Sequence, residues 1–349
     1  MRIESFIVSA HEVELSGMYM GKRSAMKRVV KWSGERQRDK GRIRRRIKWM
    51  SLATLVVIAT IAMAGCGEND DNESWSWTPQ TSVTEYGLTD VWAMDENHAW
   101  AVGGMGTILF YDGTAWKEDP QSHQITQELL WEVFALDENH VWAVGWNALV
   151  LFYDGSSWSI QHYEPDSEHD LFTVTAVDAN HVWAGAIAGR YLFYDGTSWE
   201  WQQTGTDYDL RGMFALDLNN IWGVGGIILF NNGISWSTQK QDADLTKIDG
   251  VERDQVWAVG NNGSVLFYDG SAWNEQETGV EGYLRDISTR NSDLVFAAGD
   301  DGQIIRFDGS GWTKQDSGTE QHLWGVSIID DRSVWVVGEN GIILLGTRR

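Results

Sequence analysis

The sequence predicts an all-β protein: a seven-bladed β-propeller of four-stranded antiparallel blades, closed by an N-terminal strand and set behind a cleaved leader. Three observations carry this. One short pattern recurs seven times, most plainly over residues 91–116, 133–158 and 174–199. Its central aromatic falls at Trp100, Trp142, Trp183, Trp222, Trp257, Phe296 and Trp335, a spacing of roughly 39 residues, and a period of that size marks propeller blades or solenoid turns. The chain also carries 21 Trp, far above ordinary usage, and residues of that kind belong in packed sheets rather than in solvated tails.

Within one repeat, four short apolar or alternating segments are separated by turn residues, as in an antiparallel meander. In the second copy, residues 130–136 read as strand a, 141–144 as strand b and 149–153 as strand c, with strand d starting near Trp158. The a–b turn is Asp137-Glu138-Asn139-His140, whose Asp and Asn side chains bond the local backbone and tolerate left-handed conformations. Asp154-Gly155 makes a tight c–d hairpin in the same way. A lone four-stranded sheet of this size cannot bury both faces, so neighbours must stack around an axis and the ring must close. The last repeat ends at Ile342–Leu345 without an Asp-Gly-x-x-Trp element, while Asp71 and Trp75 have the separation of Asp112 and Trp116. The N-terminal strand is therefore expected to complete the seventh blade. The domain division that follows is a basic leader and lipoprotein signal peptide over 1–65, an acidic tether over 66–72, and the propeller over 73–349.

Arg42, Arg44, Arg45, Arg46 and Lys48 precede an apolar run from Met50 to Ala64, which gives way at Gly65-Cys66-Gly67 to an acidic stretch. This order of basic, apolar, small and polar is that of a secretory signal, and a run of roughly 15 residues is short for a spanning helix. Met63-Ala64-Gly65-Cys66 resembles the bacterial lipobox, with Met63 in place of the usual Leu, and implies lipidation of Cys66 and attachment to a membrane. Several acyl chains would anchor firmly, since each buried methylene contributes roughly 0.8 kcal/mol. Cys66 is the sole cysteine, so no disulfide forms within the chain and the sheet core must supply the stability.

Charge divides sharply. Residues 1–65 hold 14 Lys/Arg and 5 Asp/Glu, and residues 66–349 hold 13 and 45. A polyanionic body repels phosphate backbones and anionic headgroups, which disfavours nucleic acid as a partner. The recurring Trp on strands b and d read as packing. His98, His140 and His181 recur at one turn position, but each sits on its own blade, too far from the others to converge on a metal. The loop Glu164-Pro165-Asp166-Ser167-Glu168-His169-Asp170 has carboxylates but lacks the ligand spacing of a dedicated calcium loop. No metal or cofactor is expected, and a monomer is.

The units Ile108 to Trp116, Leu149 to Trp158 and Ser264 to Trp273, with Ala-Val-Gly before them, resemble bacterial Asp-box-type propellers. They are also similar to photosystem II assembly factor-like propellers. The resemblance covers residues 71–349 and implies a propeller that binds or scaffolds. It departs from the usual Asp-box, because Asp112 abuts Gly113 and Trp116 is four residues after the Asp. That departure makes direct transfer of sialidase chemistry unsafe.

Because strands alternate in direction, the a–b and c–d turns share one face of the ring, and the b–c and d–a loops share the other. The first face holds near-identical turns. The second holds loops that vary in length and composition, where binding residues tend to occur. Strand a lines the axis and begins with Leu in each copy. The next position reads Thr89, Trp131, Phe172, Arg211, Thr246, Arg285 and Trp324, and the one after it Asp90, Glu132, Thr173, Gly212, Lys247, Asp286 and Gly325. From these rings Trp131, Glu132, Phe172, Arg211, Lys247, Arg285, Asp286 and Trp324 are expected to form a polar, stackable cup at the channel mouth. The function expected is a lipid-anchored, extracytoplasmic binding protein for an envelope protein or glycan. An envelope scaffold without a small-molecule site is the alternative. A sialidase-like enzyme would have only Arg211, Arg285, Glu132, Asp90 and Asp286 to draw on.

Overall fold

The computed structural model describes residues 74–349. The expected leader and tether, and the lipidation expected at Cys66, lie outside them. The described residues form seven four-stranded antiparallel sheets. Blade 2 shows the plan, with Leu130–Asp137, His140–Gly145, Val150–Tyr153 and Trp158–His162 as strands a to d. In blade 4 strand a starts at Gly212 rather than at Leu210, although Leu210 is still buried and the Arg211 N–H still donates to the Val224 carbonyl. In the seventh blade Trp75–Pro79 pairs antiparallel with Ile343–Arg348, with Trp75 opposite Arg348 and Thr78 opposite Leu345. Trp75 also meets Phe296 of blade 6 edge-on at 4.8 Å. The first described strand thus covers an otherwise open sheet edge and closes the ring. Among the described residues no helix is long and apolar enough to cross a membrane.

The core lies between blades. Each apolar cluster joins two neighbours, as where Trp100 and Val102 of blade 1 pack on Leu130 and Val133 of blade 2. Trp142, Trp222 and Trp335 on strand b are fully buried, and burial of a large apolar side chain contributes on the order of 2–3 kcal/mol. The Gly that ends strand b has a packing reason. A Cβ on Gly145 would stand 2.1 Å from the Leu129 carbonyl oxygen, and one on Gly103 would stand equally close to that of Gly87.

The turns on the regular face satisfy themselves. Asp154 Oδ1 accepts from the Ser156 hydroxyl and from the N–H groups of Ser156 and Ser157, which holds its pKa below the usual carboxylate range. Gly155, at φ +89°, lies so close to Asn139 of the a–b turn that a side chain would collide with it. His98, His140 and His181 each pair through Nδ1 with the Asp of their own turn, Asp95, Asp137 and Asp178.

Candidate functional site at the channel mouth

Strand a is the innermost strand of every blade, so its free edge faces the channel and its N–H groups need acceptors. Neighbouring blades supply them. Two residues after the leading Leu, Asp90 Oδ2 accepts from the Val133 N–H of the next blade at 2.9 Å, Thr173 Oγ1 from Met213 at 3.0 Å and Asp286 Oδ2 from Val326 at 2.7 Å. Four residues after the Leu the device repeats: Thr175 accepts from Ala215, Asp249 from Thr289, Ser288 from Ile328 and Ser327 from Ala93. Where a Gly occupies the first of these rings it makes room instead, since a Cβ on Gly325 would stand 2.8 Å from Asp90 Cα.

Glu132 and Lys247 of that ring meet across the channel, blade 2 to blade 5, with Nζ 2.8 Å from Oε2. Burial works against the ammonium, but Glu132, Asp90 and Asp286 together outweigh it and hold Lys247 protonated well beyond the usual lysine range. Burial raises the carboxyl groups of Asp90, Glu132 and Asp286, and Lys247 partly offsets this. Deeper in the channel, burial and then the Asp286 charge push Asp249 up to about 7, against its bonds to the Thr289 and Gly250 N–H groups.

The outer ring is arranged differently. Thr89 and Thr246 are spent on latching, each donating to the leading Leu carbonyl of the next blade, at 2.6 Å to Leu130 and 2.7 Å to Leu284. The remaining five stay partly exposed. Trp131 and Phe172 of adjacent blades meet edge-on at 6.2 Å. Trp324 lies against Gly87, where any Cβ would strike the indole, and the Arg285 guanidinium stands 6.0 Å from its ring and 5.0 Å from Tyr283. Arg285 also pairs with Asp300, and Arg211 with Asp244 at 3.2 Å. Of the eight expected site residues, the structure therefore brings Trp131 to Phe172, Arg285 to Trp324, and Glu132 and Asp286 to Lys247. The first two groups sit at the mouth, and the last closes the floor beneath them.

Sequence reasoning missed the second latching ring of Thr175, Asp249, Ser288 and Ser327. Its signal is a hydroxyl or carboxylate four residues after the Leu on an otherwise apolar strand.

Fold and site together define a seven-bladed propeller with a plugged channel, one face of self-satisfied turns, and an opposite face of irregular loops around an aromatic and cationic mouth. Comparison with known proteins places it among similar molecules. The family model described as photosynthesis system II assembly factor YCF48 matches residues 25–154. The solved structure of YCF48 bound to D1 peptide superposes with a TM-score of 0.64 at 18% identity, covering 79% of this chain and 95% of that one. YCF48 from Cyanidioschyzon merolae gives 0.62 at 17% identity, covering 77% and 98%. A streptogramin B lyase structure gives 0.61 at 13% identity, covering 79% and 98%, so the same architecture also houses an enzyme. No curated protein matches the sequence significantly. The resemblance to assembly factor-like propellers thus holds both in sequence, over 25–154, and in fold.

Proposed function

We propose that this protein is a non-enzymatic, extracytoplasmic propeller, lipid-anchored through Cys66 in the cell envelope, that binds a protein partner on the face of the b–c and d–a loops. Trp131, Phe172, Arg211, Arg285 and Trp324 make the contacts, and Glu132, Lys247 and Asp286 form the floor that holds them. The observation that carries this reading is the division of labour on strand a. The inner positions are spent on joining blades, whereas five outer side chains of binding character are left partly exposed at the mouth. Aromatic and Arg side chains over a rigid scaffold are what protein interfaces select for their strongest contacts. The similarity to a propeller solved with a bound peptide supports a protein partner over a glycan.

A glycan-active enzyme needs two carboxyl groups free to act on a substrate. Asp90 and Asp286 are bonded to backbone N–H groups of the next blade and Glu132 to Lys247, which argues against that chemistry.

The test is capture from envelope extract, with a glycan panel alongside. The reading expects a protein retained by the wild type and lost with Trp131→Ala/Trp324→Ala. Retention of a glycan alone, or of a protein indifferent to those changes, would overturn it. Membrane fractionation of Cys66→Ala tests the anchor, with release expected and unchanged membrane association against it.

A further inference from the structure

We infer that the rim of the loop face over blades 1 to 3 is a docking surface for a cationic segment of the protein partner, one in which Lys or Arg side chains alternate with apolar ones. This rests on the proposed protein-binding function and names the partner's chemistry.

The first observation is a cluster of exposed apolar side chains. Tyr86, Met105, Trp146 and Tyr163 remain 45%, 44%, 42% and 38% exposed, and all four lie on b–c or d–a loops. One segment, the loop between blades 1 and 2, links them. At one end its His123 ring lies 5.3 Å from Tyr86 and bonds the Met105 carbonyl through Nδ1. At the other end its Glu128 accepts from the Tyr163 hydroxyl at 2.8 Å, and its Leu129 carbonyl accepts from the Trp146 N–H. A patch of rings supported in this way on a rigid ring of sheets marks an interaction surface rather than scattered apolar exposure.

The second observation is charge. From Ser74 to Gly189 the chain has 17 Asp/Glu and a single Lys/Arg, Lys117. That lysine is held by Asp112 of the regular face. From Arg190 onward 24 Asp/Glu face 12 Lys/Arg, so the acidic excess is steepest before Arg190, which opens strand c of blade 3 and is itself engaged by the Trp201 ring and by His169. On the loop face of that sector Glu85, Glu118, Asp166 and Glu168 are exposed around the aromatic cluster. The imidazoles there are already engaged, His123 by Glu118 and both His162 and His169 by Glu164. Exposed indole and phenol faces ringed by carboxylates attract Lys and Arg twice, through the ring quadrupole and through the net charge. A second copy of this acidic chain, or an anionic segment, would be repelled.

The experiment uses the full chain as its host processes it, in detergent, and follows the anisotropy of two labelled peptides, one alternating Lys with Leu and the other Glu with Leu. The inference expects the Lys peptide to bind and the Glu peptide not to. It expects affinity to fall as salt rises. Tyr86→Ala/Trp146→Ala should weaken binding about tenfold or more, as truncated interface aromatics do. Ile234→Ala, an exposed apolar residue on the regular face, should leave binding unchanged. Absence of Lys-peptide binding, preference for the Glu peptide, or equal binding by the aromatic variant would overturn it, the last by showing bare charge attraction. The envelope partner of the preceding section separates the two readings. If that partner is retained by Tyr86→Ala/Trp146→Ala but lost with Trp131→Ala/Trp324→Ala, the proposed function stands and this surface falls.

Discussion

The two faces of the ring use the same residue types to opposite ends. On the regular face the Asp that opens a turn is spent within it, as where Asp154 caps Ser156 and Ser157 and Asp178 holds His181. On the loop face, acids and aromatics are left over, with Glu85, Asp166 and Glu168 exposed beside Tyr86 and Tyr163. The channel between the faces shows both behaviours within two successive residues of one strand, since Glu132 is committed across the channel while Trp131 remains partly exposed at the mouth. The difference teaches that a residue's type does not tell its role on a repeat scaffold. What tells it is whether a neighbouring backbone group has already claimed the side chain.

The sharpest way to break this contrast is to remove a committed group. Lys247→Met leaves Glu132, Asp90 and Asp286 buried around a lost cation, and equilibrium denaturation should show a loss of about 3–5 kcal/mol. Adding Glu132→Gln should recover part of that loss, and no recovery would show that the pair does not act as a unit. On the regular face, Asp154→Ala strips two exposed N–H groups of their acceptor, which water can replace, and should lower stability by clearly less than Lys247→Met, measured the same way.

Asp249→Asn keeps an oxygen for the Thr289 N–H, so its effect should appear mainly in the pH profile. The native carboxyl, with its pKa raised from 3.8 to about 7, holds its proton more tightly when folded. Its contribution to stability is therefore full below the lower value and lost as pH rises through the higher one. The stability of wild type relative to Asp249→Asn should fall between about pH 4 and pH 7, and a flat difference would contradict the assignment. The smallest effect belongs to Ile234→Ala. Its side chain is 91% exposed in a regular-face turn, and stability should stay within about 0.5 kcal/mol.

The ring was legible in the sequence because each of its causes is local and repeated. The Asp-Gly pair at 154–155 announces a hairpin, Trp142 between apolar neighbours announces a buried strand, and the missing hairpin after Leu345 announces closure by Trp75. The placing of Trp131, Arg285 and Trp324 one residue after the leading Leu was legible as well. The depth of the site was not. Whether Asp286 faces a ligand or the Val326 N–H depends on a blade 40 residues further along the chain, and that contact exists only once the two blades have stacked. The same limit hid the latching role of Ser288 and Ser327, which as isolated residues are only polar interruptions of an apolar strand.

The central claim is that the partner engages the loop face and not the face of repeated turns. Site-specific photocrosslinking tests it most directly, with a photoreactive phenylalanine placed at Phe172 on the mouth or at Ile234 on the regular turn, in cells producing the full chain. The account predicts one defined protein adduct from position 172 and none from position 234. An adduct from 234 alone, or equal adducts from both, would contradict it.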